Sequence, residues 1–168
     1  MSSFEVIGGQ KLEGEITPQG AKNEALQIIS AVLLTNEKVT IENIPDILDV
    51  NLQIELLAEM GVKINRLDRN SCEFIADNVD VEYLNSEAYN KKSGRLRGSV
   101  MLAGPMLARF KKAFIPKPGG DKIGRRRLDT HIRGFEKLGA KFIYGEDAFF
   151  RLSTTGLTSI PALTFPAS

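Results

Sequence analysis

An internal repeat limits what this chain can fold into more than any other feature. The segment GAKNEALQIISAVLL (20–34) lies over GRLRGSVMLAGPMLA (94–108) without a gap, so that Gly20 meets Gly94, Asn23 meets Arg97, Leu26 meets Val100, Ile28 meets Leu102 and Leu33 meets Leu107. Each copy places a glycine and a polar first turn ahead of an apolar body at helical spacing. A basic turn and a β-branched or aromatic strand follow, VTIENIP (39–45) in one and AFIPKPG (113–119) in the other. Then LAEMGVKI (57–64) matches FEKLGAKF (135–142), a helix closed by a glycine that accepts left-handed φ, leading into a strand. CEFIA (72–76) and AFFRLST (148–154) complete the units, and the later copy carries four extra residues between its first strand and second helix.

The pattern predicts two helix-strand-helix-strand-strand units and an α/β (α+β) chain. One such unit has a single apolar sheet face and needs neighbouring copies to cover it; a third copy would close the core. The first 20 residues fit neither copy, although FEVIGG and LEGEIT read as strands. The end, TTGLTSIPALTFPAS, has no helical periodicity, and residues 157–168 read as a truncated or altered tail.

Composition narrows the class. Apolar residues make up 42% of the 168 positions and charged residues 26%, values of a globular chain. Lys and Arg number 22 against 21 Asp and Glu, so no global field draws the protein to nucleic acid or anionic lipid, and any basic patch is local. There is no basic start followed by an apolar run and no stretch of membrane-spanning length, which makes a cytoplasmic location the default expectation. With one cysteine, Cys72, and one histidine, His131, neither an internal disulfide nor a structural zinc site is expected, and no metal is implied. Cys72 lies in the alternating NSCEFIAD and reads as a small half-buried strand residue.

Two places carry chemistry. Lys22 and Asn23 sit where the chain leaves Gly20 and enters a helix; an ammonium beside helix-start amides suits a phosphate or carboxylate, while the plain alternative is a solvated lysine and a capping asparagine. Arg97 stands at the equivalent turn of the second copy and can converge with them on one polyanion. The loop PKPGGDKIGRRRLD joins stiff prolines to permissive glycines and reads as a lid; it lacks the P-loop pattern. Consecutive Arg125, Arg126 and Arg127 cannot all face one ligand, and no aromatic residue interleaves with the basic ones from Gly119 to Arg133, as a nucleic-acid site would require. Asp121 has two readings: a proton donor if a closing lid excludes water, or a loop acid paired with Lys122 or an arginine. His131 reads as a structural or capping residue of the following helix.

Taken together, GAKNEAL, IENIPDILDV, LRGSVMLAGPMLARF and PGGDKIGRRRLDTHIRGFEKLGA resemble the UDP-N-acetylglucosamine enolpyruvyl transferases, or 1-carboxyvinyltransferases, over nearly everything from FEVIGG to AFFRLST. That family begins bacterial cell-wall precursor synthesis, moving the enolpyruvyl group of phosphoenolpyruvate to the 3′-hydroxyl of UDP-N-acetylglucosamine with release of phosphate and with no cofactor. The resemblance implies repeated βαβαββ units of the α/β-prism (inside-out barrel) type, incomplete in this chain. Residues 1–20 would be strands packed on the other domain, and 21–156 would be the first half-domain with two of its three repeats and the start of the third.

By the same resemblance, Lys22 (also catalytic) and Asn23 serve the phosphoenolpyruvate end, and Arg97 and Arg126 serve the anionic substrates. Arg126, Arg127, Leu128, Asp129 and Thr130 line the uridine nucleotide, with His131 beside them. Asp121 stands where most members keep a catalytic cysteine, which places the chain in an aspartate-bearing branch and implies resistance to fosfomycin, a thiol alkylator. Leu48 departs from a lysine found in some relatives. The second domain, with its own arginines and catalytic aspartate, is the implied partner, and without it the chain is expected to turn over negligibly. The alternatives are the shikimate-pathway enolpyruvyl transferase, whose first helix carries a serine-rich lysine turn unlike GAKNEAL, and a non-catalytic nucleotide-sugar or nucleic-acid binding fragment.

Overall fold

The computed structural model describes residues 3–116, 128–144 and 149–160. In the first repeat, helix α1 (Lys22–Ala31) tightens into a 3₁₀ turn (Val32–Leu34) and buries Ala25, Leu26 and Ile29 on one face, the spacing of an amphipathic helix. Strand β1 (Lys38–Ile41) follows. It stops four residues before the expected Pro45 because Asn43 turns to a φ of 57° and proline has no amide to donate to a ladder. Helix α2 (Leu48–Glu59) buries Val50, Ile54 and Leu57 on one stripe. It ends at Gly61, whose φ of 94° admits a glycine and whose missing Cβ would lie 2.5 Å from the Asn78 carbonyl oxygen. Strands β2 (Lys63–Arg66) and β3 (Cys72–Ile75) close the unit, with Cys72 and Phe74 inward.

The second repeat retraces this path. A 3₁₀ turn (Arg97–Leu102) runs into α4 (Ala103–Phe110), then β4 (Lys112–Pro116), α5 (Asp129–Lys137), β5 (Lys141–Tyr144) and β6 (Phe149–Ser153). Gly139, at φ 93°, repeats the turn at Gly61. Both sheets are antiparallel with the last strand in the middle, in orders β1-β3-β2 and β4-β6-β5. Even the registers coincide: Lys38 opposes Ile75 as Lys112 opposes Ser153, and Lys63 opposes Ile75 as Lys141 opposes Ser153. The gapless match of the first helices and the four-residue insertion therefore describe the ladders themselves.

Between the repeats lies a segment the hydrophobic pattern did not announce. Glu82–Asn85 forms a 3₁₀ turn and Glu87–Ser93 a short helix, α3, whose start is capped by the Ser86 hydroxyl accepting from the Tyr89 amide. From α3, fully buried Tyr89 reaches the second repeat, donating its hydroxyl to the Phe114 carbonyl at 3.2 Å. A second tie runs the other way: Arg109 of α4 donates to the carbonyls of Leu33 and Thr35 at 3.1 and 2.8 Å, satisfying the open end of the first repeat's leading helix. One apolar core spans both repeats, from Ile29, Leu57 and Phe74 to Leu107, Ile115 and Leu152.

The described terminal residues take no part in either ladder. Residues 3–20 carry no strand, so FEVIGG and LEGEIT find no ladder partner among the described residues; Phe4, Val6, Leu12 and Ile16 are 90% or more exposed. After Gly156 the chain stays attached to α5, with the Thr158 amide donating to the Leu138 carbonyl at 2.9 Å and Leu157 packed on the core. Among the described residues no helix is long and apolar enough to cross a membrane, and no group of His, Cys, Asp and Glu could hold a metal ion.

Candidate functional site

A cleft of about 520 Å³ lies where the two repeats meet, walled by the starts of α1 and α2 and by the 3₁₀ turn ahead of α4. Lys22 and Asn23 come from α1, Ile47, Leu48 and Asp49 from the entry and first turn of α2, and Arg95, Arg97, Gly98 and Met101 from the second repeat. Ala21 and Ile47, the residues that precede α1 and α2, offer no side-chain cap, so first-turn amides of two helices stand without a side-chain acceptor beside this cleft. Such amides favour an anion, and so do the cations around them.

Local sequence fixes each wall. Gly98 lets the 3₁₀ turn lie directly on α1: a Cβ there would come within 2.8 Å of Leu26 Cδ1. On the other side, α2 is locked to α1 twice. Asp49 Oδ2 holds the Lys22 ammonium at 2.9 Å, and one turn on, buried Gln53 donates to the Ser30 hydroxyl at 2.9 Å, which donates to the Leu26 carbonyl. Lys22 and Asp49 are both partly exposed, so their pair is a modest restraint that keeps an ammonium facing the cleft more than it stabilises the fold.

The expected site residues divide into three groups. Lys22, Asn23 and Arg97 come together on this one cleft. Leu128, Asp129, Thr130 and His131 lie at the start of α5 and do not line it; Leu128 is buried beneath the helix, and Thr130 and His131 are exposed. Asp121, Arg126 and Arg127 fall outside the described residues. Two charged residues of the cleft were not anticipated. Asp49 was legible only as a helix-start acid, and nothing in the sequence joined it to Lys22. Arg95 had a local signal, since it flanks apolar Leu96 on the side opposite Arg97, and a single extended residue sends its two neighbours the same way.

Elsewhere, ionisable groups serve the fold. Glu59 accepts from Lys92 at 2.5 Å and from the Tyr83 hydroxyl, contacts that hold its carboxyl below the usual range. Burial, with Glu59 as acceptor, pushes the Tyr83 phenol up to about 12. Burial also raises the Cys72 thiol, which stays protonated and unreactive at neutral pH.

Known proteins share this fold. The family model for EPSP synthase (3-phosphoshikimate 1-carboxyvinyltransferase) matches residues 6–158. Curated relatives named UDP-N-acetylglucosamine 1-carboxyvinyltransferase are 61% identical over 147 residues in Bacteroides fragilis and 62% identical over 146 residues in Bacteroides thetaiotaomicron. These alignments cover 88% and 87% of this chain but 34% of each relative, so the chain spans about a third of their length. Among solved structures, the enolpyruvyl transferase NikO from Streptomyces tendae superposes with a TM-score of 0.71 at 21% identity, over 90% of this chain and 32% of that one. An EPSP synthase from Acinetobacter baumannii gives 0.61 at 15% identity, over 90% of this chain and 35% of its own.

Proposed function

Because the chain belongs to the EPSP synthase (3-phosphoshikimate 1-carboxyvinyltransferase) family, we propose that it forms the amino-terminal part of an enzyme moving the enolpyruvyl group of phosphoenolpyruvate to the 3′-hydroxyl of UDP-N-acetylglucosamine. The observation that carries this reading is the cleft itself: it gathers Lys22, Asn23 and Arg97 in a chain 61% identical to a transferase of that name. The shikimate-pathway alternative shares the fold, and the Acinetobacter baumannii EPSP synthase is 15% identical to this chain.

In this reading Lys22, with Asn23 and the α1 amides, holds the phosphoenolpyruvate anion, and Arg97 serves the anionic groups of the substrates. Asp121, protonated under a closed loop, gives its proton to the methylene carbon while the sugar hydroxyl yields its own proton to the catalytic aspartate of the second domain and its oxygen bonds to the neighbouring carbon. Phosphate then leaves as a proton is lost from the new methyl group and the double bond re-forms. Arg126, Arg127 and the run through Leu128, Asp129, Thr130 and His131 would face the uridine side once the loop closes. An acid in place of a thiol removes the atom that fosfomycin alkylates, so resistance follows. The setting is cytoplasmic, the product feeds peptidoglycan synthesis and through it cell shape and division, and the partner is a second domain, against which the apolar residues of 3–20 would pack.

The test is phosphate release with both substrates, by the 168-residue chain alone and fused to the remaining two thirds of the Bacteroides fragilis relative. Release by the fusion with UDP-N-acetylglucosamine, and none by the chain alone, is expected. A silent fusion, or one that accepts shikimate 3-phosphate instead, would overturn the reading.

A further inference from the structure

The cleft holds more positive charge than the residues assigned so far account for. Lys22 already shares one of its three ammonium donors with Asp49 at 2.9 Å. Leu48, 73% exposed, gives the α2 wall an apolar side chain at the first position of its helix. The two cations of the cleft whose side chains make no hydrogen bond or ion pair among the described residues are Arg95 and Arg97, both on the wall opposite α2.

Their placement is set by the residue between them. Leu96 has φ −117° and ψ 112°, an extended conformation, and is only 2% exposed. Side chains on either side of an extended residue point together, away from its own. Burying Leu96 in the core thus turns both guanidiniums into the cleft. Two planar, permanently charged groups on one side of a short extended segment suit the oxygens of a phosphate ester, which accept parallel hydrogen bonds from such forks.

We propose that Arg95 is a second anion-binding residue of this cleft, acting with Arg97 as a paired grip on one phosphate-bearing group of a substrate. The proposal rests on the reading of the cleft as the substrate site. That group is either the phosphomonoester of phosphoenolpyruvate or the diphosphate of the sugar nucleotide, and separate titrations tell them apart.

Calorimetric titration of the 168-residue chain with phosphoenolpyruvate, with UDP-N-acetylglucosamine and with the pair tests it, using Arg95→Ala, Arg95→Lys and Arg97→Ala. Arg95→Ala is expected to weaken one ligand about tenfold, as loss of a charge-assisted hydrogen bond does, and Arg95→Lys about threefold because charge remains without the fork. The affected ligand identifies the group held. Arg95 is exposed and its side chain makes no hydrogen bond or ion pair among the described residues, so the thermal transition should not move; Arg95→Lys, which keeps the stem and charge, guards against a folding effect. Wild-type affinity for both ligands in Arg95→Ala overturns the proposal, and if Arg97→Ala is weakened in the same series the reading of the site survives. If the unaltered chain binds neither ligand, the same titrations on the fusion decide, and absence of binding there sinks both.

Discussion

In the first repeat the chain enters its leading helix through Ala21, Lys22 and Asn23 and runs as α-helix to Ala31 before tightening. In the second it enters through Arg95, Leu96 and Arg97 as a 3₁₀ turn and relaxes into α-helix only at Ala103. Pro105 accounts for the inversion. A continuous helix from Arg97 would put proline in its interior, where the missing N–H and the ring are costly by about 3 kcal/mol, whereas restarting at Ala103 leaves Pro105 in a first turn that needs no donor. The ladders beyond tolerate no such freedom, since a slip of one residue would turn every inward side chain to the other face. So the sheets preserve the repeat, and the helix starts, where the cleft lies, are where the copies diverge.

The inward residues of the sheets show how that sameness is kept. Ile64 opposes Phe74 in the first sheet, and Phe142 opposes Leu152 at the matching place in the second, so the aromatic ring has changed strands while the pair keeps one ring and one branched chain. The largest effect should come from Phe74→Ala, about 3–5 kcal/mol in urea denaturation, with Leu152→Ala somewhat smaller at about 2–4 kcal/mol. Because one core spans both repeats, each substitution should shift a single transition. A split transition with only half displaced would break the comparison by showing two independently folding units.

Tyr89→Phe removes the hydroxyl bond from the inter-repeat helix to Phe114 and leaves the carbonyl partner without that donor. A loss of about 1 kcal/mol is expected, against no change if the tie matters only through ring packing. Smallest is the ion cluster around Lys92, which meets Glu55 at 3.3 Å and Glu59 at 2.5 Å. Lys92→Met should cost about 0.5 kcal/mol at neutral pH. The folded carboxyl of Glu59 is held below its unfolded value, so this contribution is present above the unfolded value and fades as pH falls through the folded one. Wild type and variant should therefore converge in stability on acidification; an unchanged gap would remove Glu59 from the explanation.

Much of this was legible in the sequence. The strands follow from alternation at CEFI and KAFI, and Gly61 and Gly139 announced the helix ends through the one backbone conformation that glycine enters freely. By contrast, α3 was hidden because EYLNSEAYNKKS is mostly polar and its buried face is only Leu84, Tyr89 and Ser93, too few for a periodicity to show. The strand pattern of residues 3–20 is real as a pattern, but a strand needs a neighbour, and none of the described residues supplies one. Lys22, Asn23 and Arg97 were found because they punctuate the repeat; Asp49 escaped because it meets Lys22 only through the packing of α2 on α1.

The buried leucine between the two arginines has an evolutionary corollary. Parity, not identity, is what that stretch must keep: inserting or deleting a single residue beside Leu96 would send one guanidinium inward and the apolar anchor out, damaging solubility and recognition in the same stroke. Lineages should therefore scarcely ever change the number of residues there, whatever else they vary.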